Sequence, residues 1–292
     1  MALPSIKNAT FTLRIKEFDK PLSIRPMIVA EHKAIQQVID IGSENDIALT
    51  ISEVTNSCTN GKVDAKSVPQ YVLDFVFLQI YMTSVENVVS STYTCYNYLK
   101  NEENGDILYD EETGDPILCD NNIDVKIPLS NANIIYPEKY EELRRIEVTK
   151  GVFLNLKNLA LQQNIDISEM RNNIMSTVNR LAELDDADES PEVLKEIKDI
   201  NKKLADIRAE IKDKYTFMSV ESIDDNGKIM LPEVDFTAEE FKTWLDSCPS
   251  SVIADSEDFF ESAPIVGMDI KITCPKCMNT SEVKLRGLKD FF

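Results

Sequence analysis

Two apolar stripes in the middle of this chain restrict its architecture more than any other feature. Ile167, Met170, Ile174, Val178, Leu181 and Leu184 recur at three- and four-residue steps, and so do Val193, Ile197, Ile200, Leu204, Ile207 and Ile211. That spacing collects the apolar side chains on one helical face, and the second set keeps the heptad rhythm of a coiled-coil seam. Asp185 to Pro191 separates the stripes with acidic residues, a serine and a proline, a combination that breaks a helix. Residues 166–214 are therefore expected to form an antiparallel helical hairpin. About twenty residues per helix, at about 1.5 Å each, make an arm of about 30 Å. Either the stripes satisfy each other, or the hairpin projects and binds another subunit. Ile200 and Leu204 are the candidate interaction residues on it.

After the hairpin, Lys214 to Val234 is expected to be a strand pair about the turn Asp224-Asp225-Asn226-Gly227. Asp235 or Thr237 can then cap a short helix with Phe241, Trp244 and Leu245 on one face and Glu239 and Glu240 near its positive end. Pro249 stops it, and a second amphipathic run from Val252 to Phe260 ends before Pro264. From about Met268, Ile270, Ile272 and Cys274 alternate with polar residues, the period of a half-buried strand. CPKC turns this strand, and Glu282 to Leu285 returns antiparallel. Phe291 and Phe292 end the sequence without a polar tail. Burying each is worth about 1.5–3 kcal/mol, so Leu288, Phe291 and Phe292 are expected to dock on the Phe241 and Trp244 face or on a partner.

Before the hairpin, Phe11 to Phe18 alternates as a strand and Leu22 to Arg25 is its return. Helices are expected from Ala30 to about Ile41 and from Ile47 to about Asn56, divided at Gly42-Ser43. Val68 to Val85 is apolar on nearly every side and long enough to be a central buried helix. Val88 to Leu99 and Ile123 to Leu129 are strand-like, with a turn at Asp110 to Gly114 between them. The carboxylates of that turn lack calcium-loop spacing and are expected to be solvated. Residues 146–164 are expected to continue as helix through Phe153, Leu156, Leu159 and Ala160. The fold class is thus α+β: a mixed helix and antiparallel-sheet domain (1–136), a helical region with the hairpin arm (137–214), and a small C-terminal unit of helices and a zinc-ribbon-like β-hairpin (215–292).

Cys274 and Cys277 are the two of six cysteines with ligand spacing. A C-x-x-C knuckle between strands is half of a zinc ribbon, whose complete form surrounds the metal with four soft ligands. No second half lies nearby in sequence. Cys95 and Cys119 could supply it, although a ribbon remnant without metal is the plainer expectation. A redox reading suits the motif less, since a reactive C-x-x-C usually opens a helix.

With 51 acidic against 31 basic residues, the net charge of −20 repels phosphate backbones, so nucleic acid is not an expected partner. The sequence lacks an apolar run long enough for a membrane helix and a signal-peptide centre, which predicts a protein that remains in the cytoplasm. His32, the one histidine, lies among charged neighbours at a helix start, away from any nucleophile. Most hydrolytic triads lose their usual base on that ground.

Both ends of the chain resemble a known family. Phe236-Thr-Ala-Glu-Glu-Phe241, the following Pro249, CPKC within a strand pair and the closing Leu285-Arg-Gly-Leu-Lys-Asp-Phe-Phe292 are similar to the baseplate hub subunit family of T4-like contractile-tailed bacteriophages. So are Asp74-Phe-Val-Phe-Leu-Gln-Ile-Tyr-Met-Thr-Ser-Val85, Leu3-Pro4 and Ile24-Arg25-Pro26, with Tyr81 standing where the pattern has a basic residue. The resemblance implies a non-enzymatic structural component or assembly factor that binds hub, tail tube or tape-measure proteins in the host cytoplasm and in the virion tail. A cytoplasmic zinc-ribbon adaptor is the alternative.

Overall fold

A computed structural model describes residues 8–64, 66–101, 104–185 and 190–291. Leu3-Pro4, Phe292 and most of the break between the two stripes fall outside the described residues. Among the described residues the chain forms eight α-helices and eleven strands, the strands arranged in four antiparallel sheets.

β1 (Phe11–Leu13) pairs with β2 (Leu22–Ile24), as the alternation predicts, and buries Leu22 and Ile24. α1 (Val29–Ile41) and α2 (Glu44–Cys58) follow. They divide at Gly42, where the backbone turns extended and a Cβ would lie 2.5 Å from Val38 Cγ2, so the turn needs glycine. Ser43 then starts α2: its hydroxyl accepts the Asp46 N–H, and the Asp46 carboxylate accepts the Ser43 N–H.

α3 (Gln70–Ser84) is the expected central helix, and two cores meet on it. On one side Val72, Leu73, Val76, Phe77 and Ile80 pack with Leu22, Ile24, Ile35 and Val54. Leu78 joins a second cluster with Ile127, Leu129, Val266, Met268, Leu285 and Phe291. A helix covered on opposite sides needs apolar residues around most of its circumference, which is the pattern its sequence shows.

β3 (Val88–Thr94) pairs with β4 (Asn122–Pro128) from Val88 opposite Pro128 to Thr94 opposite Asn122. The strand stops five residues short of Leu99. Beyond it runs an arm held by single bridges at Tyr98–Leu118, Lys100–Ile107 and Tyr109–Pro116. The turn in this arm forms as expected: Asp110 Oδ1 accepts the N–H groups of Glu112 and Thr113, and Gly114 takes a φ of +73°.

After β5 (Asn133–Ile135) and α4 (Tyr140–Leu143), the expected helix over 146–164 is replaced by two strands, β6 (Arg145–Thr149) and β7 (Val152–Leu156). Ile146, Val148, Leu154 and Leu156 are buried at alternate positions, and Gly151 turns the pair with a φ of +83°. This two-residue period, with a bulge between Glu147 and Thr149, wins over the weaker helical spacing of Phe153, Leu156, Leu159 and Ala160.

Helix begins only at α5 (Leu161–Asp185), and α6 (Pro191–Met218) returns along it, starting at a Ser190 cap that accepts the Val193 N–H. Between them Ile167, Met170, Ile174, Val178 and Leu181 meet Ile200, Leu204, Ile207 and Ile211. The hairpin is an insertion between two neighbouring strands of one sheet. β8 (Val220–Asp225) pairs with β7, Leu156 opposite Val220, and β9 (Lys228–Met230) completes the order β6-β7-β8-β9. The β8–β9 pair is the expected one, but it starts six residues later because α6 continues to Met218.

α7 (Ala238–Asp246) and α8 (Ser251–Glu261) cover this sheet, with Phe241, Val252 and Phe259 buried against Tyr140, Leu154 and Leu156. Thr237 and Glu240 form a reciprocal cap at the start of α7. β10 (Ile265–Thr273) pairs along its length with β11 (Thr280–Arg286) and near its start with β5. At Gly267 a Cβ would meet the Leu285 carbonyl oxygen at 2.5 Å, so only glycine admits the close approach of the two strands there. The C-terminal strands thus pack on α3, far back in the sequence.

Candidate metal centre

The CPKC knuckle sits at the β10–β11 turn. Cys274 N–H donates to the Asn279 carbonyl, Met278 N–H donates to the Cys274 carbonyl, and Met278 closes the turn in the left-handed region at φ +57°. Facing it is the root of the 95–121 arm. The β3–β4 register places Cys95 beside Asn121, with Cys95 N–H donating to the Asn121 carbonyl at 2.9 Å and Asp120 N–H donating back to the Cys95 carbonyl at 3.0 Å. Cys119 is anchored by its N–H to the Asn97 carbonyl at 2.8 Å.

These two pieces bring four sulfurs together. The Sγ atoms of Cys95, Cys119, Cys274 and Cys277 all lie within 4.8 Å of one another. Cys95 and Cys277 are 3.7 Å apart, as are Cys119 and Cys274. All four cysteines are free thiols, three of them buried and Cys277 half-buried. A disulfide needs about 2.05 Å between sulfurs. A tetrahedron of sulfurs about 2.3 Å from a central metal has edges of about 3.8 Å, close to the two distances observed.

The surroundings supply polar hydrogens to the sulfurs. Asn97 Nδ2 donates to Cys95 Sγ at 3.4 Å, and Asn121 Nδ2 donates to Cys274 Sγ at 3.6 Å. Lys276 reaches across the site to the Cys119 carbonyl at 2.8 Å, placing a cation beside the cluster. Burial raises the Cys119 thiol to about 12. Burial also pushes Cys274 up, but backbone N–H donation from Cys277 and Lys276 together with hydrogen bonds from the Cys119 and Cys277 thiols brings that thiol down to about 6. Four thiolates at such separations repel one another unless a cation lies between them. Chemically, the arrangement can enclose one soft tetrahedral metal ion with protein ligands alone.

Asn97, Asn121 and Lys276 were not among the sequence candidates. A signal for the asparagines is present, because Cys95, Cys119 and Cys277 are each followed two residues later by asparagine. The remaining candidates lie elsewhere. Phe291 is 1% exposed and packs with Leu78 and Leu285, whereas Phe241 and Trp244 belong to the cluster on the four-stranded sheet. Leu204 is buried and Ile200 half-buried in the seam between α5 and α6. Asp110, Glu111, Glu112 and Asp115 are exposed, as expected of a solvated turn.

No curated protein and no solved structure matches the chain. A family model described as T4 bacteriophage base plate protein matches residues 7–292, which takes in the α5–α6 hairpin and all four clustered cysteines. The chain therefore belongs to the T4 bacteriophage base plate protein family, and so to the structural proteins of the phage tail baseplate.

Proposed function

We propose that this chain is a hub component, or a factor that assembles the hub, and that it works by binding hub, tail tube or tape-measure proteins rather than by catalysis. The observation that carries the reading is the family match across residues 7–292. The motifs at both ends that resemble hub subunits narrow it from the baseplate to the hub. The α5–α6 hairpin supplies a suitable binding element, since its apolar seam is consumed internally and its outer faces remain for a partner. Those faces carry exposed Lys195, Lys198, Lys202 and Lys203, with Met175 and Leu194 as exposed apolar points. Among the described residues no helix is long and apolar enough to cross a membrane. Assembly in the host cytoplasm followed by a place in the tail is the route this reading implies.

Affinity capture of the tagged full-length chain from infected cells tests the proposal. Hub, tube or tape-measure proteins should be recovered in constant proportion to the bait. Recovery with host proteins alone would favour the cytoplasmic adaptor and contradict the hub reading.

A further inference from the structure

We propose that Cys95, Cys119, Cys274 and Cys277 form a closed, structural zinc site that ties the root of the 95–121 arm to the β10–β11 turn. The inference rests on the side-chain geometry and is independent of the hub reading.

Three observations carry it. The sulfurs form a compact group whose closest pairs are at 3.7 Å, the separation suited to tetrahedral ligands and too long for disulfides. Asparagine side-chain N–H groups point at two of the sulfurs and the Lys276 ammonium lies beside the cluster, so the site is prepared for negative charge. The ligands also come from segments 155 and 182 residues apart in sequence, which local spacing does not bring together. β3–β4 and β10–β11 belong to different sheets, and the direct hydrogen bond from Asn97 Nδ2 to Ser281 Oγ at 2.9 Å joins them beside the cluster.

On binding, Zn2+ enters as the thiol protons leave, giving a tetrathiolate centre of net charge about −2, with no open position for water or substrate. Ferrous iron takes the same ligands, but zinc stands above it in intrinsic affinity for a given donor set. Because the metal closes long loops, it stabilises the native pairing of arm and turn. The arm displays Tyr96, Tyr98, Ile107, Leu108, Tyr109 and Leu118 at its surface, so the metal sets how this apolar group is presented.

The test uses full-length protein purified under reducing conditions with zinc available. Elemental analysis should find about one zinc per chain. A thiol-blocking mercurial should release it, and cobalt should replace it with the intense visible absorption of a tetrahedral thiolate site. Cys277→Ser should lose most of the zinc, whereas Cys248→Ser, outside the cluster, should retain it. Should Cys277→Ser fail to fold, zinc removal from the native chain serves instead: hydrogen exchange should rise over 95–121 and 274–280 while α5 and α6 stay protected. Zinc well below one per chain after reconstitution, iron in its place, or two disulfides among the four cysteines would each overturn the proposal.

Discussion

Arg25 and Glu31 fasten the N-terminal hairpin to the two helices that follow it. Arg25 donates to both Glu31 carboxylate oxygens, at 2.9 and 2.7 Å, and the same carboxylate accepts from the Ile28 N–H and the Ser57 hydroxyl. Hydrogen bonding from Arg25 lowers Glu31 from 4.5 to about 2. A depressed acid stabilises the fold fully above its unfolded value and loses that contribution as pH falls through its folded one. Glu31→Gln should therefore cost about 2 kcal/mol at neutral pH, and denaturant titrations should show this difference shrinking from about pH 4.5 to about pH 2. Asp74 on α3 has the opposite sign, because burial raises its carboxyl to about 7. Its favourable neutral form is fully populated below the unfolded value and is lost as pH rises through about 7. Asp74→Asn is expected to match the native protein near pH 4 and to exceed its stability at pH 8. Equal pH profiles would contradict the assignment for either residue. At this scale the CPKC knuckle is legible from spacing alone, and Cys95 and Cys119 can be named as candidates for its second half, but nothing in the spacing records that they meet it across 155 and 182 residues of sequence. Their approach depends on β3–β4 pairing and on the packing of β10 and β11, which no local pattern records.

Among the elements, the α5–α6 hairpin is expected to melt separately from the sheet that carries it. It connects two adjacent strands, and Lys157 N–H donates to the Ser219 carbonyl at its base. Ile200→Asp combined with Leu204→Asp should melt the seam, since burying each such side chain is worth about 1.5–3 kcal/mol. The loop left behind adds entropy only slowly with length, so the sheet should survive. Circular dichroism should lose helix while slowly exchanging amides in β6 to β9 persist; simultaneous loss of both would place the hairpin within the cooperative core. Leu161 and Ile165 already belong to the α3 core, so protection is expected to remain at that end of α5. The hairpin is legible because its stripes persist over many turns. β6 and β7 are not, because each is five residues long and Phe153, Leu156, Leu159 and Ala160 imitate a helical face from β7 onward. α3 falls between these cases: its burial is evident from composition, but the presence of two cores on it emerges only from tertiary packing.

Across the whole molecule, the C-terminus closes a core begun at α3. Phe291 packs with Leu78, Val266 and Leu285, joining α3 to the C-terminal strands. Phe291→Ala should cost about 3–5 kcal/mol and lower the main thermal transition, because it leaves a cavity where α3 meets the C-terminal strands. An unchanged midpoint would mean that the terminus is not part of that core. The terminal apolar pair signals burial in the sequence, but the destination of Phe291 is set by β10 and β11 folding back on α3 rather than onto the Phe241 helix. The proposed hub role is tested at the outer face of α6. Crosslinking mass spectrometry on tail-assembly intermediates from infected cells tests it most directly, through the exposed α6 residues Lys195, Lys198, Lys202 and Lys203. The account predicts crosslinks from these lysines to hub, tail tube or tape-measure proteins; crosslinks confined to baseplate proteins outside the hub, or to none of them, would contradict it.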